Sequence, residues 1–325
     1  MKITFEREKL LQALQTAAAV VPTRTPKPIL ENARLDCKDG ESVLQATDLE
    51  VGLRYELEGV EKEVPGEALL PVRLVMQTLR ESREDKLRLE STGTKILLLG
   101  SRSEFQLPTP DPLEYPEVPA FTAENYRQVP ARLLREMIVR TGFAADPQST
   151  RYALGGVFFE PGEKTAYAVA TDGRRMAIQE GPVDRVGEIS VGEGVVFPLR
   201  GVQLLERVLG DGAEPIKLAI QEDSAQLRLG GMTVTLRLLE GRFPNWRNVF
   251  PKKENPILLE LNVGELLSVT RQAAVMTDED HRSIIFTFGS GNLVLSSRGS
   301  RLGESRVELP IAYDGEEIAV RLDPR

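Results

Sequence analysis

The sequence predicts an α+β protein made of three tandem copies of one domain, with the third copy incomplete at its C-terminal end. Two observations carry this. An amphipathic helix, short strand-like runs, a second helix and further strands recur in the same order. A corner at Pro71-Val72-Arg73 returns at Pro198-Leu199-Arg200 and near Arg325, a spacing of roughly 125 residues that is too long for a solenoid unit and suits a domain.

In the first copy, residues 6–19 set Leu10, Leu11, Leu14 and Ala18 at helical spacing with charge opposite, which predicts an amphipathic helix after a short strand. Pro22, Pro26 and Pro28 stop it. Strand-like runs follow at 29–37, 42–47 and 51–58, and a second helix opens at Pro71 and runs over 72–80. Three more strands are expected at 87–90, 95–100 and 103–107, and the proline-rich segment 108–119 reads as a linker.

The order then restarts. Val129 to Leu134 opens a helix as Arg7 to Leu11 does, Ala170-Thr171-Asp172 falls where Ala46-Thr47-Asp48 fell, and Phe243-Pro244-Asn245 answers Tyr115-Pro116-Glu117. A third start follows at Leu261-Asn262-Val263. The expected domains are 1–120, 121–253 and 254–325. In this register the third still owes a helix and about three strands, roughly 40 residues.

Composition bounds the function. With 41% hydrophobic and 28% charged residues there is apolar sequence for several cores, and no apolar run approaches the ~18 residues of a membrane span. The single cysteine, Cys37, excludes an internal disulfide and fits a reducing, cytoplasmic compartment. A net charge of −8 argues against a uniformly basic coat but leaves room for a local basic surface. His281 is the only histidine, and neither a GxxxxGK loop nor a GxGxxG fingerprint occurs, so no catalytic residue or cofactor is expected. The run Asp278-Glu279-Asp280-His281 offers oxygen ligands for a divalent cation, but it reads as a solvated loop and no metal is assigned to it.

The arginines say more. Arg73 and Arg80 are seven apart on the second helix of copy one, Arg200 and Arg207 seven apart on its counterpart, and Arg132, Arg135 and Arg140 decorate the opening helix of copy two. Charged helix faces ordinarily just meet water. Recurrence at one register favours a shared basic surface, suited to a phosphate backbone contacted without base readout. The other informative stretch is the turn Thr171-Asp172-Gly173-Arg174-Arg175-Met176, where Gly173 suits a positive φ and Asp172 a local turn bond.

The start MKITFEREKLLQAL, the segment Pro28 to Asn32, the turn ATDGRRMA, the run EGRFPNW at 240–246 and the three-copy layout together closely resemble the bacterial DNA sliding clamps, the beta subunits of DNA polymerase III. The resemblance covers the whole chain. It implies a head-to-tail homodimeric ring of sliding-clamp domains, helices lining a central hole and sheets outside, that slides on double-stranded DNA as a non-catalytic processivity factor. It points to Arg24, Arg73, Arg151, Arg200 and Arg282 as DNA-facing or DNA-proximal. It also implies a groove that takes linear peptides of the replicative polymerase alpha subunit, the clamp loader and repair proteins. The matching groove positions are Leu154, Thr171, Gly173, Arg174, Arg175, Met176, Pro244, Asn248 and Val249. Leu154, Met176, Pro244 and Val249 would supply apolar walls, Gly173 a close backbone approach, and Arg175 a partner for a carboxylate or backbone carbonyl.

Two departures stand out. The family's extreme C-terminal segment supplies part of the groove, and the sequence stops before it. The implied ring closure sets Phe105 and Leu107 on an edge strand of domain one against Val275 and Met276 of domain three. Many relatives have a basic first strand and an acidic partner. Here Glu104 stands on the first while Arg298, Arg301 and Arg306 lie on or near the second, an inverted charge pairing. Two other readings remain open: a monomeric peptide-binding scaffold, and an enzyme using the carboxylates near His281.

Overall fold

The computed structural model describes residues 1–325 apart from 39, 150–152, 190, 191, 193, 211, 213, 250–256, 279–281, 300, 301 and 325. The chain separates into two compact units, Met1–Val249 and Phe250–Arg325.

The first unit runs one series of elements twice. The first pass is β1 (Lys2–Glu6), α1 (Arg7–Ala17), β2 (Asn32–Asp36), β3 (Ser42–Thr47), β4 (Val51–Leu57), β5 (Glu61–Val64), β6 (Glu67–Pro71), α2 (Val72–Glu81), β7 (Lys86–Ser91), β8 (Lys95–Leu99) and β9 (Glu104–Pro108). The second is β10 (Tyr126–Pro130), α3 (Ala131–Gly142), β11 (Gly156–Pro161), β12 (Thr165–Thr171), β13 (Met176–Pro182), β14 (Asp184–Val186), β15 (Val195–Pro198), α4 (Leu199–Val208), β16 (Pro215–Ile220), β17 (Ser224–Leu229) and β18 (Met232–Arg237). Strands pass straight into helices at Pro71, Pro130 and Pro198. Proline's fixed φ suits that turn, and a missing N–H costs nothing where a helix starts.

The helices bury one face each: Leu10, Ala13, Leu14 and Ala17 on α1, and Val72, Val75 and Leu79 on α2. A continuous apolar core runs from Ile3 to Leu236 through both repeats. The repeats also share a sheet. β18 pairs antiparallel with β4, with Val234 opposite Leu53 and Leu236 opposite Val51, inside a nine-stranded sheet ordered β14-β10-β16-β17-β18-β4-β3-β2-β6. β9, the counterpart of β18, ends a separate sheet ordered β5-β1-β7-β8-β9.

Several expected elements change. Residues 28–31 form a 3-10 turn instead of the start of a strand, because Pro28 sets the first φ and the Asn32 side chain donates to the Ile29 carbonyl at 3.0 Å. β5 and β6 were not anticipated: β5 is a charged edge strand and β6 follows the Pro65-Gly66 turn. The segment 108–119 is no loose linker. It holds a 3-10 turn at Pro112–Glu114 and buries Tyr115 and Val118. The Tyr115 hydroxyl donates to the Asn32 carbonyl at 3.0 Å and accepts from the Thr47 N–H at 3.1 Å. Burial pushes its phenol up to about 12, against the opposing effect of the Thr47 bond.

The second unit contains α5 (Val263–Ala274), β19 (Ile284–Gly289), β20 (Asn292–Gly299), β21 (Gly303–Pro310) and β22 (Ile318–Leu322), in a sheet ordered β21-β20-β19-β22. These correspond to α1, β2, β3, β4 and β6. The Asn262 side chain caps α5 by accepting from Gly264 and Glu265 N–H groups. Its core is Val269, Ala273, Ile284, Phe286, Leu293, Leu295 and Leu309. Val320 and Leu322 share that face opposite Phe286 and Ile284 but stay 39% and 50% exposed, whereas Ala68 and Leu70, at the matching places of copy one, are fully covered. No helix among the described residues is long and apolar enough to cross a membrane.

Replacing Tyr115 by Phe strips partners from the buried Asn32 carbonyl and Thr47 N–H. The expected outcome is a loss of about 1–3 kcal/mol in urea unfolding with unchanged secondary structure; an unchanged midpoint would show that the segment is not pinned there.

Candidate functional site

The turn at 171–176 is a Thr–Asp corner used twice. Thr171 Oγ1 accepts from Gly173 N–H at 3.0 Å and donates to the Arg175 carbonyl at 2.7 Å. Asp172 Oδ1 accepts from both Arg174 and Arg175 N–H groups at 2.9 Å. In copy one, Thr47 accepts from Leu49 and donates to the Val51 carbonyl, while Asp48 accepts from Glu50 and Val51. Gly173 (φ +83°) and Leu49 (φ +79°) hold the same left-handed position. A Cβ at Gly173 would meet nothing of this chain within 4 Å, so within the fold the glycine serves the left-handed backbone conformation.

What differs is the use of the remaining aspartate oxygen. Asp172 Oδ2 pairs with Arg175 Nε at 3.2 Å within its own loop. Asp48 Oδ2 takes Arg200 Nε of α4 at 2.6 Å, an ion pair that falls short of hydrogen-bond geometry, and Arg200 Nη2 also donates to the Val20 carbonyl at 3.4 Å. Arg200, expected near DNA, is therefore half-exposed and already balanced by a buried carboxylate across the junction of the two repeats.

The groove residues converge in part. Leu154 and Met176 both pack on a small cluster of Ala153, Val169, Val196, Phe243 and Trp246. Trp246 is held by its indole N–H on Glu160 Oε2 at 3.1 Å, and Phe243 stacks on Phe158 at 4.7 Å. Pro244 precedes the 3-10 turn Trp246–Asn248, which turns Asn248 and Val249 outward, the latter 62% exposed. Arg174 and Arg175 are exposed. Within the chain Arg175 pairs with Asp172 and donates to the Phe143 carbonyl at 3.1 Å, with its guanidinium 5.5 Å over the Phe143 ring. Phe143 was not anticipated. It lies just past α3, is 61% exposed and extends the apolar surface next to Arg175.

Among the basic residues, Arg24, Arg73, Arg80, Arg132 and Arg207 are exposed and have no ion-pair partner among the described residues. Arg80 and Arg207 meet, with Lys9, around a cleft of about 1000 Å³ between the helices of the two repeats. Both also lie in the last turn of a helix, where a cation complements the dipole. By contrast Arg34, Arg88 and Arg228 on the strands each face a carboxylate. Arg282 is exposed in the second unit. Arg151, Arg301, Arg325 and the run 279–281 with His281 lie outside the described residues.

Two models of the DNA polymerase III beta subunit match the chain, the N-terminal domain over residues 1–119 and the central domain over 128–245. The Beta sliding clamp of Escherichia coli K12 is 30% identical over 323 residues, spanning 98% of this chain and 87% of the relative. The chain belongs to the beta sliding clamp family. The Beta sliding clamp of Chlamydia pneumoniae is 28% identical over 325 residues, 100% of this chain and 87% of the relative. The crystal structure of the DNA polymerase III subunit beta from Pseudomonas aeruginosa superposes with a TM-score of 0.91 at 27% identity, covering 100% of this chain and 88% of the other. The sliding clamp from Bacillus subtilis shares the fold at a TM-score of 0.92 and 23% identity. A beta sliding clamp is a processivity factor for DNA polymerase III, an accessory subunit that makes and breaks no bond.

The Thr–Asp corner of this clamp is expected to weaken in acid. Burial pushes the Asp172 carboxyl up, but the N–H groups of Arg175 and Arg174 and the Arg175 charge outweigh it and hold the group below the usual aspartate range. A depressed folded value means stability that is present above the ordinary aspartate value of about 4 and lost as pH falls through the folded one. Carboxyl NMR titration is expected to place the Asp172 midpoint below that of a free aspartate. A midpoint at or above it would contradict the hydrogen-bonded corner.

Proposed function

We propose that two copies of this clamp close head to tail into a ring that encircles duplex DNA and tethers the replicative polymerase. The observation that carries this reading is an unfinished repeat. β18 of the second repeat pairs with β4 of the first, while the counterpart of β18, which is β9, and the counterpart of β4 in the second unit, which is β21, both end their sheets unpaired. An edge strand left open is a template for another chain, and a head-to-tail contact whose rotation closes gives a ring. Phe105 is 38% exposed on β9, where its counterpart Val234 is buried, and Val275, 67% exposed beside Met276, ends α5. These apolar groups and Leu107 form the proposed dimer contact.

Exposed arginines supply the DNA-facing charge in an otherwise acidic chain. Arg24, Arg73, Arg200 and Arg282 are the proposed contacts, with Arg151 carried by the resemblance alone. Phosphate contacts of this kind are exchangeable and salt-sensitive, which permits sliding. The surface of Leu154, Met176, Pro244 and Val249, with Thr171, Gly173, Arg174, Arg175 and Asn248 around it, is the proposed peptide site for polymerase, loader and repair partners in the cytoplasm. The proposed domains remain 1–120, 121–253 and 254–325.

The test is topological. After loading by a clamp loader and ATP onto nicked circular plasmid, the clamp is expected to stay bound through gel filtration and to be released when the plasmid is cut. Retention on linear DNA equal to that on the circle would contradict encirclement.

A further inference from the structure

We infer that ring closure in this clamp is specified by a charge pair between Glu104 on β9 of one copy and Arg306 on β21 of the other. The inference rests on the ring reading and adds a register and a polarity to it. The seam inside the first unit supplies the template: Thr233 lies opposite Arg54, Val234 opposite Leu53, Thr235 opposite Gly52 and Leu236 opposite Val51. The pairing of β9 with β8, matched to that of β18 with β17, makes Glu104, Phe105, Gln106 and Leu107 the counterparts of Thr233, Val234, Thr235 and Leu236. The sheet partners of β21, matched to those of β4, make Gly303, Glu304, Ser305 and Arg306 the counterparts of Val51, Gly52, Leu53 and Arg54.

Carried across, this register sets Glu104 opposite Arg306 and Gln106 opposite Glu304 on the outer face. On the inner face Phe105 meets Ser305 and Leu107 meets Gly303, a large side chain over a small one each time. A Cβ at Gly303 would touch nothing within 4 Å, so there is room for Leu107. Pro108, the counterpart of Arg237, has no N–H for the ladder bond that Arg237 makes to the Glu50 carbonyl, so it ends the pairing.

The charges choose between two possible edges. β13 is also a β4-type strand at a sheet edge, and the shared Thr–Asp corner fixes its register, Met176 following Thr171 as Gly52 follows Thr47. Against β13, Glu104 would face Ile178. Against β21 it faces Arg306, whose guanidinium is exposed and held at 2.7 Å only by Glu308 on its own strand. Glu104 is itself exposed and has no cation partner among the described residues. Opposite charges directly across an antiparallel pair favour it and like charges oppose it, so the pair acts mainly on partner choice.

The experiment is charge reversal followed by mixing, read by sedimentation equilibrium of the full chain. Glu104→Arg alone sets Arg against Arg at both seams, and Arg306→Glu alone sets Glu against Glu; each is expected to weaken dimerisation by about tenfold or more. An equimolar mixture restores one opposite-charge pair at each seam and is expected to recover wild-type association as a heterodimer, which also shows that both variants fold. If the wild type dimerises but both variants do so equally well, the register is wrong and the ring reading stands. If Glu104→Arg weakens the dimer, Arg306→Glu does not and mixing rescues nothing, Glu104 meets another edge. A wild type that stays monomeric up to the highest concentration reached overturns the ring reading and the pair together.

Discussion

The backbone pairing of β4 with β18 is the constraint on which the rest of the first unit depends. Strand edges carry obligatory donors and acceptors, and this pairing satisfies two of them at once while burying Leu53, Val51, Val234 and Leu236 beneath. The ion pair of Arg200 with Asp48 and that of Arg228 with Glu56, at 2.8 Å, bind the same junction from both sides. Because every full repeat owns one edge of each kind, a row of such repeats always leaves one of each over. A closed ring of full repeats leaves none; in this chain, pairing β9 with β21 satisfies one edge of each kind and leaves β13 at the end of its sheet.

The same economy explains why one local motif serves two ends. Thr47-Asp48 and Thr171-Asp172 build the same corner from the same hydrogen bonds, and even the left-handed residue is shared, although Leu49 adopts it at a steric cost that Gly173 avoids. In the first repeat the spare carboxylate oxygen is spent on the junction. In the second it orients Arg175, which then reaches Phe143 and helps shape the surface around Met176 and Leu154. The proposed partner site is thus grafted onto a corner whose hydrogen bonds are structural.

Much of this was legible in the sequence because the repeat is long and its landmarks are chemically distinctive. The helices at 7–17 and 72–81, the corners at Pro71 and Pro198, and the Thr–Asp turns were all placed within a few residues. What stayed hidden depended on tertiary contact. The role of Tyr115 needs Asn32 and Thr47 brought beside it, and nothing in a proline-rich stretch announces that. Arg200 looks like Arg73 in sequence, yet only the fold shows that Asp48 stands within its reach. An aromatic just past an amphipathic helix ordinarily belongs to the core, whereas Phe143 faces outward under a guanidinium.

If the internal seam between β4 and β18 is the template for how two copies join, covalent capture across the outer seam will show it. Gln106→Cys and Glu304→Cys, placed together in the full chain, put two thiols directly across the proposed seam, and the native Cys37 is buried away from them. Mild oxidation is expected to yield a covalent dimer linked at both seams. A chain that dimerises but cross-links only when the second cysteine is moved two residues along β21 would contradict the account.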